Sequence, residues 1–297
     1  LDKERVMIPD LHGPTSHNYI SQRLRLHYVD WGNPDAPPLI LIHGGQDHCR
    51  NWDWIAEELR HDWHIIAPDL RGHGDSAWSP DGHYSFEAYV CDIAQLINQK
   101  KLGPATIVGH SMGGNIASRY ASIYPENVKK LVNIEGILPN KDETEVCDTM
   151  SYRQKMRDWV KVRHGMSSRL PRRYANLHDA FERMHEENPH LTEAQARHLT
   201  CHGASQNEDG TYSWKFDNYT RKLNRLESGE EELKEIFTNI ECPTLLAWGT
   251  ETFVEDPEES GRLAYFKDAI IKRYPGASHW VHHDKLEDFL RDLKAFI

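Results

Sequence analysis

The chain has 297 residues, 38% of them hydrophobic and 27% charged, with a formal net charge of −11 and a mean hydropathy of −0.72. That length can bury a sizeable core. The negative balance argues against nucleic acid and anionic membranes as partners, since both attract basic surfaces, and no run approaches the roughly 20 apolar residues that cross a bilayer.

From the N-terminus, Leu1 to Arg5 lack the apolar stretch of a signal peptide, although the chain begins without Met and a removed leader stays open. Ile20 to Asp30 alternates with period two, which predicts one half-exposed antiparallel strand near a sheet edge, followed by the turn residues Asn33-Pro34-Asp35. Four short apolar runs come next: Leu39 to Ile42, His64 to Ala67, Ala105 to Val108 and Leu131 to Ile134. They carry little alternation and are expected to be covered on both faces. Helical spacing over about Trp52 to Arg60, Phe86 to Lys100 and Met112 to Tyr124 separates them, the α/β alternation of a doubly wound, mostly parallel sheet.

The alternation stops after Glu135. Residues 140–238 are charged and aromatic with helical spacing and no convincing buried strand, so a helical insertion is expected there, with Thr192 as one helix N-cap. It divides the chain into 1–139, 140–238 and 239–297. The last part predicts a strand from Pro243 to Gly249, a helix near Ser260 to Phe266, a strand near Ala269 to Arg273 and an amphipathic helix from Lys285 to Phe296. Cys49, Cys91, Cys147, Cys201 and Cys242 are scattered, with no C-x-x-C pair and an odd total. They read as reduced thiols in a cytoplasm, with no disulfide framework, metal or cofactor expected.

Gly109-His110-Ser111-Met112-Gly113 lies where the third apolar run meets its helix. A corner so tight leaves room only for small residues two before and two after the serine, and it holds the serine oxygen out from the sheet. The helix beyond it aims its first amides, with their partial positive charge, at whatever sits beside that oxygen. Such a place suits a nucleophile. With Leu41-Ile42-His43-Gly44-Gly45, Asp69-Leu70-Arg71-Gly72-His73-Gly74-Asp75-Ser76 and Gly276-Ala277-Ser278-His279-Trp280, the chain resembles an α/β-hydrolase-fold protein over most of its length outside the insertion.

That resemblance implies a serine hydrolase in which Ser111 attacks, His279 is the base, and the amides of Gly45 and Met112 hold the oxyanion. A base is needed because a serine hydroxyl is a poor nucleophile until a neighbour takes its proton. The Asp69 to Ser76 loop, His43 and Trp52 are expected to organise turns and packing, and His282 and His283 to be helix-start or surface histidines. The acid is the open point. Most relatives carry an aspartate after the strand that follows the insertion, where Trp248-Gly249-Thr250-Glu251-Thr252 has threonine, and threonine carries no charge to steady an imidazolium. Glu251 is one residue early, and Glu255 and Asp256 are late. Glu135 stands where the strand before the insertion runs out, at the sheet end where such folds gather their sites, and some lactone-hydrolysing relatives use a glutamate there.

The resemblance also makes the insertion a cap that sets substrate choice. Tyr152, Trp159, Tyr174, Phe181, Tyr212 and Trp214 are candidates for its pocket or, more simply, its own core. The expected substrate is a small, neutral, partly apolar ester or lactone, and the expected state a monomer or homodimer. Carbon–carbon bond hydrolysis and acyl or peracid transfer use nearly the same residues. Epoxide hydrolysis needs, by resemblance, an aspartate in place of Ser111. A non-catalytic receptor on the same fold is the alternative of another class, kept open by Thr252.

Overall fold

The structure, a computed structural model, describes residues 13–167, 169–221 and 229–297. Its first strands, β1 (Thr15–Ser21) and β2 (Leu24–Asp30), form an antiparallel hairpin and not the single strand expected over Ile20 to Asp30. The two residues between them, Gln22 and Arg23, have φ of 48° and 68°. Positive φ at both central positions makes a tight hairpin turn, usually signalled by Asn-Gly; Gln-Arg carries no such signal.

Then come β3 (Pro38–Ile42), a short helix α1 (Asp53–Leu59), β4 (His64–Pro68), α2 (Phe86–Lys100), β5 (Ala105–His110), α3 (Met112–Ile123) and β6 (Val128–Ile134). After a long excursion the sheet is completed by β9 (Thr244–Gly249) and β10 (Ala269–Tyr274), and the chain closes with α9 (Val281–Asp284) and α10 (Leu286–Phe296). The sheet runs β1-β2-β4-β3-β5-β6-β9-β10, antiparallel at β1–β2 and β2–β4 and parallel elsewhere.

Both faces are covered, as the continuous apolar runs predict. Leu39 and Leu41 of β3 pack with Ile55 of α1 and Phe289 and Leu293 of α10. Ile40 and Ile42 point the other way, into the cluster with Ile93 of α2 and Ile116 of α3. Strand order reverses between β3 and β5. In a parallel α/β sheet that reversal opens a crevice at the carboxyl ends of the two strands, and the residues there are His43-Gly44-Gly45 and Ser111.

The excursion holds α4 (Lys141–Thr149), α5 (Tyr152–Ser167), α6 (Leu177–Glu187), α7 (Glu193–Gly203), a two-stranded hairpin of β7 (Ala204–Gln206) and β8 (Tyr212–Trp214), and α8 (Glu230–Thr238). The hairpin corrects the expectation of helices alone; strands of three residues are too short to show a period. Thr192 caps α7 as expected, accepting from the Gln195 amide. Phe181, Leu191, Ala196 and Leu199 form a small cluster that closes on Trp54 of α1 and Trp280.

Near Ser260 to Phe266 the expected helix is a single 3-10 turn, Arg262–Tyr265. Gly261 enters it with φ of 79°, and the buried Arg262 guanidinium is held by Glu230, Thr144 and the Pro139 carbonyl. Tertiary bonds set the backbone there. Cys49, Cys91, Cys201 and Cys242 are unpaired, and no helix among the described residues is long and apolar enough to cross a membrane.

Candidate active site

Ser111 sits between β5 and α3 with φ 52° and ψ −119°, a conformation that costs a non-glycine residue on the order of 1–3 kcal/mol. Its surroundings leave it little choice. Its amide donates to the Ile134 carbonyl of β6 at 2.7 Å, and its carbonyl receives the Asn115 amide at 3.1 Å. A Cβ on Gly109 would overlap the Gly113 carbonyl, and one on Gly113 the Ile42 and His43 carbonyls. The glycine spacing is therefore a packing requirement.

Gly44 is pressed against the same corner, since a Cβ there would lie 2.8 Å from His110 Nδ1 and 3.3 Å from Ser111 Cβ. The amide of the next residue, Gly45, donates to none of the described residues. The Met112 amide is the first of α3, where no preceding turn supplies an acceptor. Among the described residues, neither of the two expected oxyanion donors is given an acceptor.

His279 follows β10 in the turn before α9. Its Nδ1 lies 2.7 Å from Glu135 Oε2, and its carbonyl accepts from His110 Nε2 at 2.9 Å. The residue before the serine therefore fixes the main chain of the histidine. That bond assigns the His110 ring proton to Nε2 and leaves Nδ1 buried without a partner. Burial, with His279 beside it, holds the His110 imidazole well below the usual histidine range, hence neutral. On another side Phe253, itself exposed, lies against the His279 ring with centroids 4.7 Å apart.

Glu135 ends β6 as Ser111 ends β5, again with φ of 52°. It is fully buried and accepts three hydrogen bonds: from His279 Nδ1, from the Gly249 amide at 2.6 Å, and from the Thr252 hydroxyl. Thr252, which stands where relatives keep an aspartate, donates to the glutamate that comes from the neighbouring strand. Sequence reasoning saw only a missing acid there; the signal was a hydroxyl able to donate. The other carboxylates are engaged elsewhere. Glu251 is exposed, Glu255 caps the Lys141 amide at 3.0 Å, and Asp256 pairs with Arg273 at 2.7 Å.

The supporting loops behave as read. Asp69 is buried and accepts from the Cys49 amide, His27 Nδ1 and the Asp75 amide, at 2.7, 2.7 and 2.9 Å, and these bonds outweigh burial and lower its carboxyl below the usual range. His43 accepts from the Leu70 amide at 2.9 Å and is held neutral by burial, its pKa lowered to about 3. Trp52 is fully buried and stacks on His282 at 4.8 Å. His282 and His283 stand at the start of α9, as the helix-start reading has it, but are not surface residues: both are buried, with ring nitrogens that have no hydrogen-bond partner among the described residues.

These elements match the family model for the alpha/beta hydrolase fold over residues 37–286. The chain belongs to the α/β-hydrolase family. Among curated relatives, this hydrolase is 31% identical to a serine hydrolase-like protein of Danio rerio over 63% of the chain, a match that spans 57% of that protein. It is 27% identical to epoxide hydrolase 1 of Caenorhabditis elegans over 99% of the chain and 73% of that protein. It is 29% identical to sn-1-specific diacylglycerol lipase ABHD11 of Danio rerio, over 90% of the chain and 80% of that protein. In fold, the hydrolase is similar to a thioesterase domain from the curacin biosynthetic pathway, with a TM-score of 0.81, 22% identity, and coverage of 95% of this chain and 99% of that one.

A cleft of about 500 Å³ opens beside Gly45 and Gln46, between the core and the inserted segment. Tyr174, Trp214, Phe216 and Trp280 line it together with a larger polar part that includes Arg172, Arg183, Asn188, Asn218 and Arg221, with Arg183 paired to Glu187. Of the candidate aromatics, Tyr174 and Trp214 face this cleft and Phe181 lies in the α6–α7 cluster. Tyr152 is 76% exposed.

Proposed function

We propose that this hydrolase cleaves a small carboxylic ester or lactone through an acyl-enzyme on Ser111, with His279 as base, Glu135 as the acid that orients it, and the Gly45 and Met112 amides as oxyanion donors. The observation that carries the reading is the 2.7 Å bond from His279 Nδ1 to the buried Glu135. With the proton of Nδ1 given to a carboxylate, Nε2 is left with its lone pair and can take the proton of the Ser111 hydroxyl. The serine oxygen attacks the carbonyl, and the negative charge on the former carbonyl oxygen falls to the two amides, each worth roughly 2.7–4 kcal/mol in comparable sites. His279 returns the proton to the leaving alcohol. Water, deprotonated by the same nitrogen, then releases the acid from Ser111.

Glutamate suits this place because its side chain must reach His279 from β6, one strand away from β9. The receptor alternative rested on threonine in the acid slot, and the Thr252–Glu135 bond removes that support. Ser111 stands against epoxide chemistry, since by resemblance that reaction needs an aspartate there. The aromatic side chains in the cleft lining favour a substrate with an apolar part. Neutrality was expected from the charge of the whole chain; with arginines in the lining, the reading keeps the apolar part and drops that requirement. The unpaired thiols of Cys49, Cys91, Cys242 and the exposed Cys201 suit a reducing cytoplasm.

The test is labelling by a fluorophosphonate, together with turnover of p-nitrophenyl esters of graded chain length. Labelling confined to Ser111 and measurable turnover are expected. No labelling and no turnover would exclude the enzyme.

A further inference from the structure

Outside the site, three chemistry-bearing side chains from distant parts of the chain converge. Asp53 opens α1, and His198 and His202 stand four residues apart on α7, so the two imidazoles share one face of that helix. One ligand atom of each lies within 4.8 Å of the other two. His198 Nε2 is 3.1 Å from Asp53 Oδ2 and 3.1 Å from the Arg50 carbonyl, and the rings of His198 and His202 are 4.5 Å apart. The Asp53 and His198 side chains are 11% and 26% exposed, sheltered yet reachable from solvent. The His202 ring makes no hydrogen bond to the described residues.

We propose that Asp53, His198 and His202 form a binding site for a divalent transition-metal ion, zinc being the best match, that ties the inserted segment to the core. Two imidazoles and one carboxylate are the donor set of a four-coordinate zinc whose last position is water. Calcium and magnesium prefer all-oxygen sets, and softer ions would call for thiolates. Arg50 does not block the site. Its guanidinium bonds both Asp53 oxygens, with Nε at 2.9 and 2.8 Å and Nη2 at 2.6 Å from Oδ2, but a carboxylate has about four lone-pair positions and these bonds use three. Arg50 therefore leaves acceptor capacity while fixing the carboxylate's direction, as outer partners of metal ligands do. Binding through His198 Nε2 moves that ring's proton to Nδ1 and gives up its contacts to Asp53 and to the Arg50 carbonyl in exchange for a metal shared with Asp53.

The position gives the ion a structural consequence. Between the two histidines, the Leu199 carbonyl of α7 lies 3.0 Å from His48 Nε2, in the loop that leaves Gly45. A metal on the same helix turn stiffens the joint between the inserted segment and that loop. The other histidine-containing cluster, His27 with Cys49 and Asp69, is fully buried and internally bonded.

Tag-free protein titrated with zinc should take up one equivalent, raise its melting temperature, and with cobalt in place of zinc give the visible absorption of four-coordinate cobalt. His202→Ala removes a ring that makes no hydrogen bond to the described residues, so it should fold normally, which circular dichroism checks. That variant and His198→Ala should lose the cobalt band and weaken zinc by more than about 10–100-fold, the loss that accompanies removal of even an outer partner of a ligand. His178→Ala/His185→Ala on α6 should bind as wild type. No zinc equivalent in the wild type, or a band and affinity unchanged in both α7 variants, overturns the proposal.

Discussion

The ends of β5 and β6 lie side by side and are built alike. Each strand stops at a residue with φ of 52°, Ser111 on one and Glu135 on the other. Each terminal amide is tied to the next strand over, Ser111 to Ile134 at 2.7 Å and Glu135 to Ala247 at 3.2 Å. Glycines close both corners, and those of the two corners pack on each other, since a Cβ on Gly136 would lie 2.6 Å from Gly114 Cα. Beyond the corner the two ends diverge. Ser111 launches α3 and stays partly open to solvent, whereas Glu135 is sealed by three donors. A nucleophile needs access and a field for the charge it creates; an orienting carboxylate needs fixed neighbours and no water.

The largest effect that separates the two ends is Ser111→Ala. It should lower kcat by about 10⁴–10⁶-fold, in line with nucleophile losses in other triads, with the melting temperature held. A loss under about tenfold would place the chemistry elsewhere. The glycines probe the shared construction. Gly109→Ala and Gly136→Ala should each destabilise by about 1–3 kcal/mol, the cost of forcing atoms into filled space, while Gly45→Ala, whose Cβ meets nothing within 4 Å, should leave denaturant midpoints unchanged. Equal effects at all three positions would refute the packing argument.

Acid sharpens the contrast further, because neutral imidazoles linked ring to ring gather around the β5 end. Burial lowers His43 to about 3, His73 to about 4 and His283 to about 3 from the ordinary 6.5. Below pH 6.5 the unfolded chain takes up protons that the folded one refuses. Stability is therefore complete above that value and falls as pH drops towards 4. Asp47, pushed up to about 6 by burial, and Asp92, also raised by burial, act in the opposite sense but are fewer than the buried imidazoles. Urea midpoints at pH 7.5 and 5.0 test this; a midpoint equal or higher at 5.0 contradicts it. The smallest effect belongs to Thr252→Val. Losing one hydrogen bond to a charged group, worth about 1.5–3 kcal/mol, should slow kcat roughly tenfold without abolishing it.

Legibility ran along the same division. β3 to β6 could be read because strands buried on both faces are continuous apolar runs, and Ser111 because steric crowding leaves only small residues around it. Glu135 could be reached only by comparing strand ends, since no local pattern marks a carboxylate that acts on a residue 144 positions away. His110 and Phe253 were missed as neighbours of His279, because their contacts are made by folding and not by spacing. The β1–β2 turn and the β7–β8 hairpin lack turn chemistry or length. His198 and His202 were not singled out in the sequence: they stand four apart on a helix, but the third member of their cluster comes from α1.

The central claim is that the acid stands at the end of β6, and one kinetic comparison tests it most directly: kcat on a single p-nitrophenyl ester for Glu135→Ala and Glu251→Ala, measured side by side. Glu135→Ala should lose about 10³–10⁴-fold, as loss of the acid does in other triads, and Glu251→Ala should stay within about twofold, as exposed substitutions do. The reverse ranking, or equal losses, would contradict the account.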